Sequence, residues 1–268
     1  MSVQTAVSDG MVVAKRNLIK IKRVPDLLVF TTLSPIMFVL LFAYVFGGAI
    51  DQRGGGALYR QFLIAGIFAQ TVVFGATITG SALADDVKKG IIDRFRSLPM
   101  SPSSVLFGRT LSDVVNNVIV LVVMSLTGLV VGWRINTSLG EALAGYLLLI
   151  VFAYAISWVM AWVGLLVPSP EVVNNASFII IFPLTFVANT FVPLATLPGP
   201  LKTFAEWNPV SAVTQAAREL FGNIPDPHPP QEGWALNHPV AYTLIWAVGV
   251  LLVFVPLASA QYRRSTSR

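Results

Sequence analysis

Six long runs of apolar residues without any charged side chain constrain the fold of this chain more than any other feature. About 20 apolar residues in a helix cross the hydrocarbon core of a bilayer, and backbone amides in lipid must be hydrogen-bonded within the helix. The runs are Leu27–Ile50, Gln61–Ala84, Val114–Trp133, Ala142–Pro170, Val172–Leu201 and Gly233–Tyr262. They predict an all-α polytopic membrane protein with six transmembrane helices. We place the spans at residues 27–50, 61–84, 112–133, 142–167, 172–195 and 240–261 of a single domain that covers residues 1–268.

Composition argues against the alternative, a large soluble protein with buried helices. Only 12% of the residues are charged and 55% are hydrophobic, whereas about 25% of the residues in a soluble domain are charged. Too few polar side chains remain to cover a water-soluble globule. The sequence has no cysteine, so it carries no information on disulfide bonds or on the redox compartment.

The distribution of basic residues predicts the orientation in the membrane. Thirteen of the 18 Lys and Arg residues lie before the first span, between the second and third spans, or after the sixth span. Because cytoplasmic segments are enriched in Lys and Arg, both termini are predicted to be cytoplasmic. This bias also accounts for the net charge of +5, so we do not expect nucleic-acid binding.

Residues 9–24 are predicted to form an amphipathic helix on the membrane surface. Met11, Ala14, Leu18 and Ile21 follow a spacing of three and four residues and would form one apolar stripe. The basic residues around the stripe would meet anionic lipid headgroups. The alternative is a mobile basic tail.

The segment Asp85–Arg109 contains a second predicted short helix, on the cytoplasmic side between two spans. One face of it would carry Ile91, Ile92, Phe95 and Leu98. Pro99 would end this helix, and Pro102 would keep the chain from resuming a helix at once. Two alternatives remain equal at this point: the helix docks into a groove of another protein, or it lies on the bilayer surface.

Small residues recur at every fourth position in three of the predicted spans. They are Ala76, Gly80 and Ala84 in the second span, Gly128 and Gly132 in the third, and Ala153, Ser157 and Ala161 in the fourth. Such stripes allow close helix packing, which we expect inside the bundle rather than at a dimer interface. Pro35 is expected to kink the first span.

The long external segment between the fifth and sixth spans shows clear helix signals. Asn208 can cap a helix that begins at Pro209, and Gly222 is a suitable residue to end it. A shorter turn is predicted at Leu201–Trp207. No metal site is expected, since His228 and His238 have no suitable neighbours in the sequence.

The sequence has no motif for hydrolysing nucleotides or for other catalysis. It contains no G-x-x-x-x-G-K-[ST], H-E-x-x-H or G-x-S-x-G pattern. Asp85, Asp86 and Asp113 lie near the edges of the predicted spans, so no acidic residue is expected deep in the membrane for ion coupling. A partner is therefore expected to supply the energy. The rival hypotheses are a stand-alone ion-gradient-driven transporter or channel, and a membrane-embedded lipid-modifying enzyme.

Two stretches of sequence carry a family resemblance that covers essentially the whole chain. The first is Gly90 with Asp93-Arg94-Phe95-Arg96-Ser97-Leu98-Pro99 and Gly108-Arg109. The second combines Asn189-Thr-Phe-Val-Pro193, Leu197-Pro-Gly199, Asn208-Pro-Val210 and Arg218. With these residues the chain resembles the membrane subunit of type-2 ABC exporters, and among them the daunorubicin-resistance permease group of actinobacteria.

This resemblance implies an exporter subunit of the bacterial cell membrane that has external re-entrant helices between spans 5 and 6. The subunit would pair with a second permease, identical or not, and with two separate ATPase subunits that bind ATP and Mg; the chain itself would need no cofactor. The cargo implied is a hydrophobic or amphipathic drug or lipid, although the sequence does not name it. Export rather than import follows from the family alone.

The resemblance also implies two sets of functional residues. A coupling helix that contacts the ATPase would include Gly90, Ile91, Asp93, Arg94, Phe95, Arg96, Leu98 and Pro99, with Phe95 and Leu98 as apolar anchors. A substrate path along spans 2 and 5 would include Phe68, Gln70, Phe74, Thr77, Phe182, Thr185, Phe186 and Asn189, with Thr71 and Thr190 beside them. For any one of these aromatic residues, ordinary packing is the alternative.

Overall fold

The computed structural model describes residues 3–23, 25–46, 56–96, 102–191, 193–194, 197–224 and 233–264. Within these ranges the chain is helical, and it forms no strand. The helices are α1 (Val3–Arg23), α2 (Pro25–Leu40, continued by a π-helical segment Leu41–Phe46), α3 (Ala57–Gly75), α4 (Thr77–Lys88), α5 (Ile91–Arg96), α6 (Pro102–Val131), α7 (Leu139–Leu166), α8 (Pro170–Phe186), α9 (Gly199–Trp207), α10 (Pro209–Phe221), α11 (Trp234–Asn237) and α12 (Pro239–Arg264).

Four helical segments of the described chain are long and apolar enough to cross a membrane. They are α3 with α4, which run together as Ala57–Lys88, the Ser104–Val131 part of α6, and helices α7 and α12. The apolar segments Thr32–Val45 and Pro170–Phe186 are shorter. At 1.5 Å per residue, α8 is about 26 Å long, slightly less than the hydrocarbon thickness of about 30 Å. The chain is a multi-pass membrane protein, and the count of six spans stays a prediction.

Several predicted helix boundaries differ from those in the structure. The fifth span was expected to reach residue 195, but α8 ends at Phe186. Helix α6 begins at Pro102, ten residues before the predicted start of the third span. At the first position of a helix the missing N–H of proline leaves no hydrogen bond unmade. The expectation that Pro102 delays the next helix was therefore wrong.

Gly132 ends a helix instead of continuing a packing stripe. Its φ of 103° is left-handed, and the Trp133 amide donates to the Gly128 carbonyl at 2.8 Å, while the Gly132 amide donates to Leu129 at 3.3 Å. This pair of bonds is a Schellman motif, which satisfies carbonyls at a helix end. Gly132 was thus wrongly assigned to the small-residue stripe of span 3.

Helix α1 packs along α6, and the mobile-tail alternative does not describe it. Its buried face is Gly10, Val13, Ala14 and Asn17, and a Cβ on Gly108 of α6 would overlap the carbonyl oxygen of Gly10. The predicted stripe was therefore misplaced by about one residue: Ala14 is buried, but the Met11 side chain is 57% exposed. The side chains of the two other stripe residues, Leu18 and Ile21, lie outside the described part.

The small residues of the second span pack inside the bundle, as predicted. Ala76, Gly80 and Ala84 are buried, and Gly80 contacts Gly164 of α7 so closely that a Cβ on Gly164 would overlap the Gly80 carbonyl oxygen. A Cβ on Gly80 would also lie 3.0 Å from the Val173 side chain of α8. Helices α4, α7 and α8 thus meet at Gly80.

We predict that Gly164→Ala destabilises the protein, whereas Gly249→Ala does not. A methyl group at position 164 must push α4 away from α7, and such overpacking costs about 1–3 kcal/mol. Gly249 lies within α12, and a methyl group added there would meet no described atom within 4 Å, so alanine should be neutral or slightly stabilising. Midpoints of thermal unfolding in detergent compare the two variants, and equal midpoints would contradict the close contact.

Candidate functional site

Helix α10 is built as its sequence predicted. The Asn208 side chain accepts a hydrogen bond from the Val210 amide at 2.9 Å, Pro209 is the first residue, and Gly222 ends the helix with a φ of 67°. Every residue from Val210 to Arg218 is buried, because the helix packs against α3, α7 and α12. A polar stripe of Ser211, Thr214, Gln215 and Arg218 runs along this buried helix.

Arg218 holds three parts of the chain together. Its Nε donates to the Phe62 carbonyl of α3 at 2.9 Å, and its Nη2 donates to the carbonyls of Asn189 and Thr190 at 2.6 and 3.2 Å. The guanidinium also lies 3.4 Å from the ring centroid of Phe62. Because residues 189 and 190 follow the end of α8, their carbonyls have no helical partner, and Arg218 supplies the missing donors.

A cleft of about 380 Å³ lies between α2, the junction of α3 and α4, α6 and α8. It is lined by Ser34, Pro35, Phe38, Gln70, Thr71, Phe74, Gly75, Thr77, Ile78, Asn116, Asn117, Val120, Phe178, Phe182 and Phe186. None of these described lining residues is charged. One wall is a row of aromatic rings on α8, in which the centroids of Phe178 and Phe182 are 5.0 Å apart and those of Phe182 and Phe186 are 4.0 Å apart.

The structure brings six of the ten residues named for the substrate path together in this cleft. Those in the cleft are Gln70, Thr71, Phe74, Thr77, Phe182 and Phe186. The other four lie elsewhere. Phe68 packs edge-on against Trp133 with a centroid distance of 5.4 Å, and the Thr185 hydroxyl donates to the Ile181 carbonyl of its own helix. Asn189 and Thr190 contact Arg218. Whether the cleft carries cargo stays a prediction.

Sequence reasoning missed the part of the cleft that α2 and α6 provide. The residues are Ser34, Pro35 and Phe38 from α2, and Asn116, Asn117 and Val120 from α6. Two adjacent amides within an apolar run were a usable signal, because polar side chains in a span usually face the protein interior. Phe178 was also missed, although it lies four residues before Phe182 and therefore on the same helix face.

One charged pair, Arg109 and Asp113, lies within the helix bundle. Asp113 is the twelfth residue of α6; its side chain accepts a hydrogen bond from the Thr79 hydroxyl and lies 3.7 Å from the Arg109 guanidinium. Asp113 is thus buried in the bundle, and its expected position near the edge of a span stays a prediction. The pair is tolerated because Arg109 compensates the carboxylate and Thr79 donates to it.

The predicted short helix between the second and third spans is present as α5. Gly90, with a φ of 64°, forms the turn between α4 and α5. Ile92 is buried in a cluster with residues of α4, α6, α7 and α12, so it packs inward and anchors α5 on the bundle. Ile91 and Asp93 are half-buried, and Arg94 is exposed.

Part of the predicted coupling set lies outside the described residues. The side chains of Phe95 and Arg96, together with Leu98 and Pro99, are not in the described part of the chain. Nearby, the Lys89 ammonium donates to Asp85 at 2.7 Å, and this hydrogen bond raises the pKa of Lys89 above its ordinary value. On the neighbouring helix, Arg16 of α1 lies 4.0 Å from Asp86, which links α1 to the end of α4.

A family model described as "ABC-2 type transporter" matches residues 10–221 of this chain. This chain belongs to the ABC-2 type transporter family. The match includes α5, the cleft and α10, so the resemblance found in the sequence is confirmed. The chain is the membrane permease subunit of an ABC exporter, and the alternative of a stand-alone transporter or channel is set aside.

Relatives of this ABC-2 permease share most of its length. It is 34% identical over 263 residues to a daunorubicin resistance ABC transporter permease protein of Streptomyces coeruleorubidus, a match that covers 98% of this chain and 89% of the relative. It is 27% identical over 243 residues to a probable doxorubicin resistance ABC transporter permease protein of Mycobacterium tuberculosis, with 87% and 80% covered. A polysialic acid transport protein of Escherichia coli is 24% identical over 216 residues, with 80% and 79% covered.

We predict that Arg218→Met lowers the stability of the permease strongly, while Arg60→Met does not. Loss of the guanidinium leaves the carbonyls of Asn189 and Thr190, which lie outside any helix, without their donor, at a cost of about 1–3 kcal/mol for each buried group that stays unpaired. Arg60 lies on α3 beside this site and is half-buried, and its side chain makes no hydrogen bond to a described residue, so it is a matched control. Thermal unfolding in detergent measures both, and an unchanged midpoint for Arg218→Met would refute the role given to this side chain.

Proposed function

We propose that separate ATPase subunits drive this permease by contacting the loop that holds α5. The observation that carries the proposal is the family match across residues 10–221, which includes this loop. The sequence has no phosphate-binding loop of its own, so ATP and Mg would be bound by the partner ATPase. The relatives named above as ABC transporter permeases support the same division of labour.

The packing of α5 explains how a push on it would reach the spans. Ile92 is 3% exposed and packs in a cluster with Leu83 and Val87 of α4, Leu106 of α6 and Tyr262 of α12. A densely packed cluster transmits displacement because its side chains have no free space to absorb it. Movement of α5 would therefore shift several spans together, and rigid-body motion of this kind is common in switching proteins.

The charge distribution supports placing the α5 end of the bundle in the cytoplasm. Lys88 ends α4 and Lys89 follows it, and Arg263 and Arg264 end α12. The two ends lie together, because Val87 and Tyr262 belong to one buried cluster. Because Lys and Arg favour the cytoplasmic side, both termini and α5 would face the ATP-containing compartment of a bacterial cell. Helices α9 and α10 would then lie toward the outside.

The cleft is the proposed cargo path in a complex of two permeases and two ATPases. Its uncharged lining, with aromatic rings and a few amides and hydroxyls, suits a hydrophobic or amphipathic cargo. The cargo would be a drug or a lipid. The second permease, identical or not, is proposed from the family.

A substitution in α5 tests the coupling. We expect Phe95→Asp to lower ATP-driven transport at least roughly tenfold in proteoliposomes that contain permease and ATPase, because a charge in an apolar groove opposes docking. Leu139→Asp is the control: Leu139 is 76% exposed but lies at the opposite end of the bundle, at the start of α7. Both variants should insert and elute as the wild type does. Normal ATP-driven transport by Phe95→Asp would contradict the proposal.

A further inference from the structure

Two side-chain amides in the cleft are buried and have no hydrogen-bond partner among the described residues. Gln70 of α3 is 6% exposed and Asn116 of α6 is 9% exposed, and both line the cleft. Two other polar lining groups are already engaged: the Asn117 amide donates to the Asp113 carbonyl at 2.9 Å, and the Thr77 hydroxyl donates to the Phe74 carbonyl at 2.7 Å. Gln70 and Asn116 therefore present free donors and acceptors to the interior of the cleft.

The chemistry of these two amides restricts what can occupy the cleft. Their amide atoms open on the cleft, so an occupant that displaces water without offering hydrogen bonds leaves them unpaired, which is unfavourable. A bare hydrocarbon chain would leave both amides unpaired. A cargo that carries its own carbonyl, hydroxyl or amide groups beside an apolar ring would pair with them and lie against Phe182 and its neighbours.

The absence of charge among the described lining residues also favours an uncharged cargo group. An ionised group in the cleft would lose hydration without gaining a counter-charge. Asp113 lies close by in the sequence, but Thr79 and Arg109 already contact its carboxylate, and it does not line the cleft.

We propose that Gln70 and Asn116 form a specificity site for a neutral hydrogen-bonding group on an apolar, ring-containing cargo. The two amides select this group over a plain hydrocarbon and over a cation. This inference rests on the proposed role of the cleft as the cargo path.

A chemical protection assay tests the site, because the chain has no native cysteine. Thr77→Cys places one thiol in the cleft, and a small methylthiolating reagent modifies it in the reconstituted complex of permease and ATPase. Three anthracenes that differ in one substituent serve as probes: a carboxamide, a methyl group and a trimethylammonium group. The measured quantity is the probe concentration in the bilayer that halves the rate of modification.

In the Thr77→Cys background we expect the carboxamide probe to protect at a concentration roughly tenfold lower than the methyl probe, as two modest hydrogen bonds would give. The trimethylammonium probe should protect least. Gln70→Leu and Asn116→Leu should each reduce the carboxamide preference to about threefold or less without weakening the methyl probe. Gln70→Glu should improve protection by the trimethylammonium probe.

Asn175→Leu is the matched control, because Asn175 is an exposed amide on α8 that does not line the cleft. It should leave all three probes unchanged. Protection by every probe with no carboxamide preference, or a preference that survives both leucine substitutions, would overturn the specificity site but leave the cleft as a cargo path. A thiol that no probe protects would overturn both this inference and the proposed cargo path. It would not affect the proposed coupling through α5, which the Phe95→Asp variant tests separately.

Discussion

The structure depends on one constraint: a polar backbone group in the membrane must find a partner within the protein. The spans satisfy this constraint because a helix pairs its backbone N–H and C=O groups within itself. After α8 ends at Phe186, the carbonyls of Asn189 and Thr190 lie outside any helix, and the guanidinium of Arg218 on the buried helix α10 donates to them. Non-helical backbone is tolerated in such a place only when other protein groups satisfy it, which is why α10 and α3 are joined at this point.

Helix α4 connects the proposed cargo path to the proposed coupling loop. It begins with Thr77, which lines the cleft, and it ends at Lys88 beside the turn that leads into α5. Between them Gly80 packs against Gly164, and Thr79 donates to Asp113 of α6. The helix is only 12 residues long and follows α3 after the single residue Ala76. A displacement at α5 could therefore alter the shape of the cleft through a single short element.

Much of this architecture follows from the sequence. The parts that do not follow from it have identifiable physical causes. The start and end of α10 were predicted because caps are local: Asn208, Pro209 and Gly222 each act within one turn. The apolar runs located the long spans because a run of apolar residues is also a local feature of the sequence. The buried face of α1 was misplaced because packing at Gly10 and Gly108 decides it, and contacts across about 100 residues leave no local pattern. The contribution of Asn116 to the cleft likewise depends on which helices become neighbours.

The central claim is that this permease receives its energy through the loop around α5. The most direct measurement is a cryo-electron microscopy structure of the permease bound to its ATPase subunits in a lipid nanodisc. The account predicts that the ATPase contacts the permease within residues 85–109, with α5 seated in a groove of the ATPase. An ATPase bound at the opposite end of the bundle, beside α9 and α10, or bound without any contact to this loop, would contradict it.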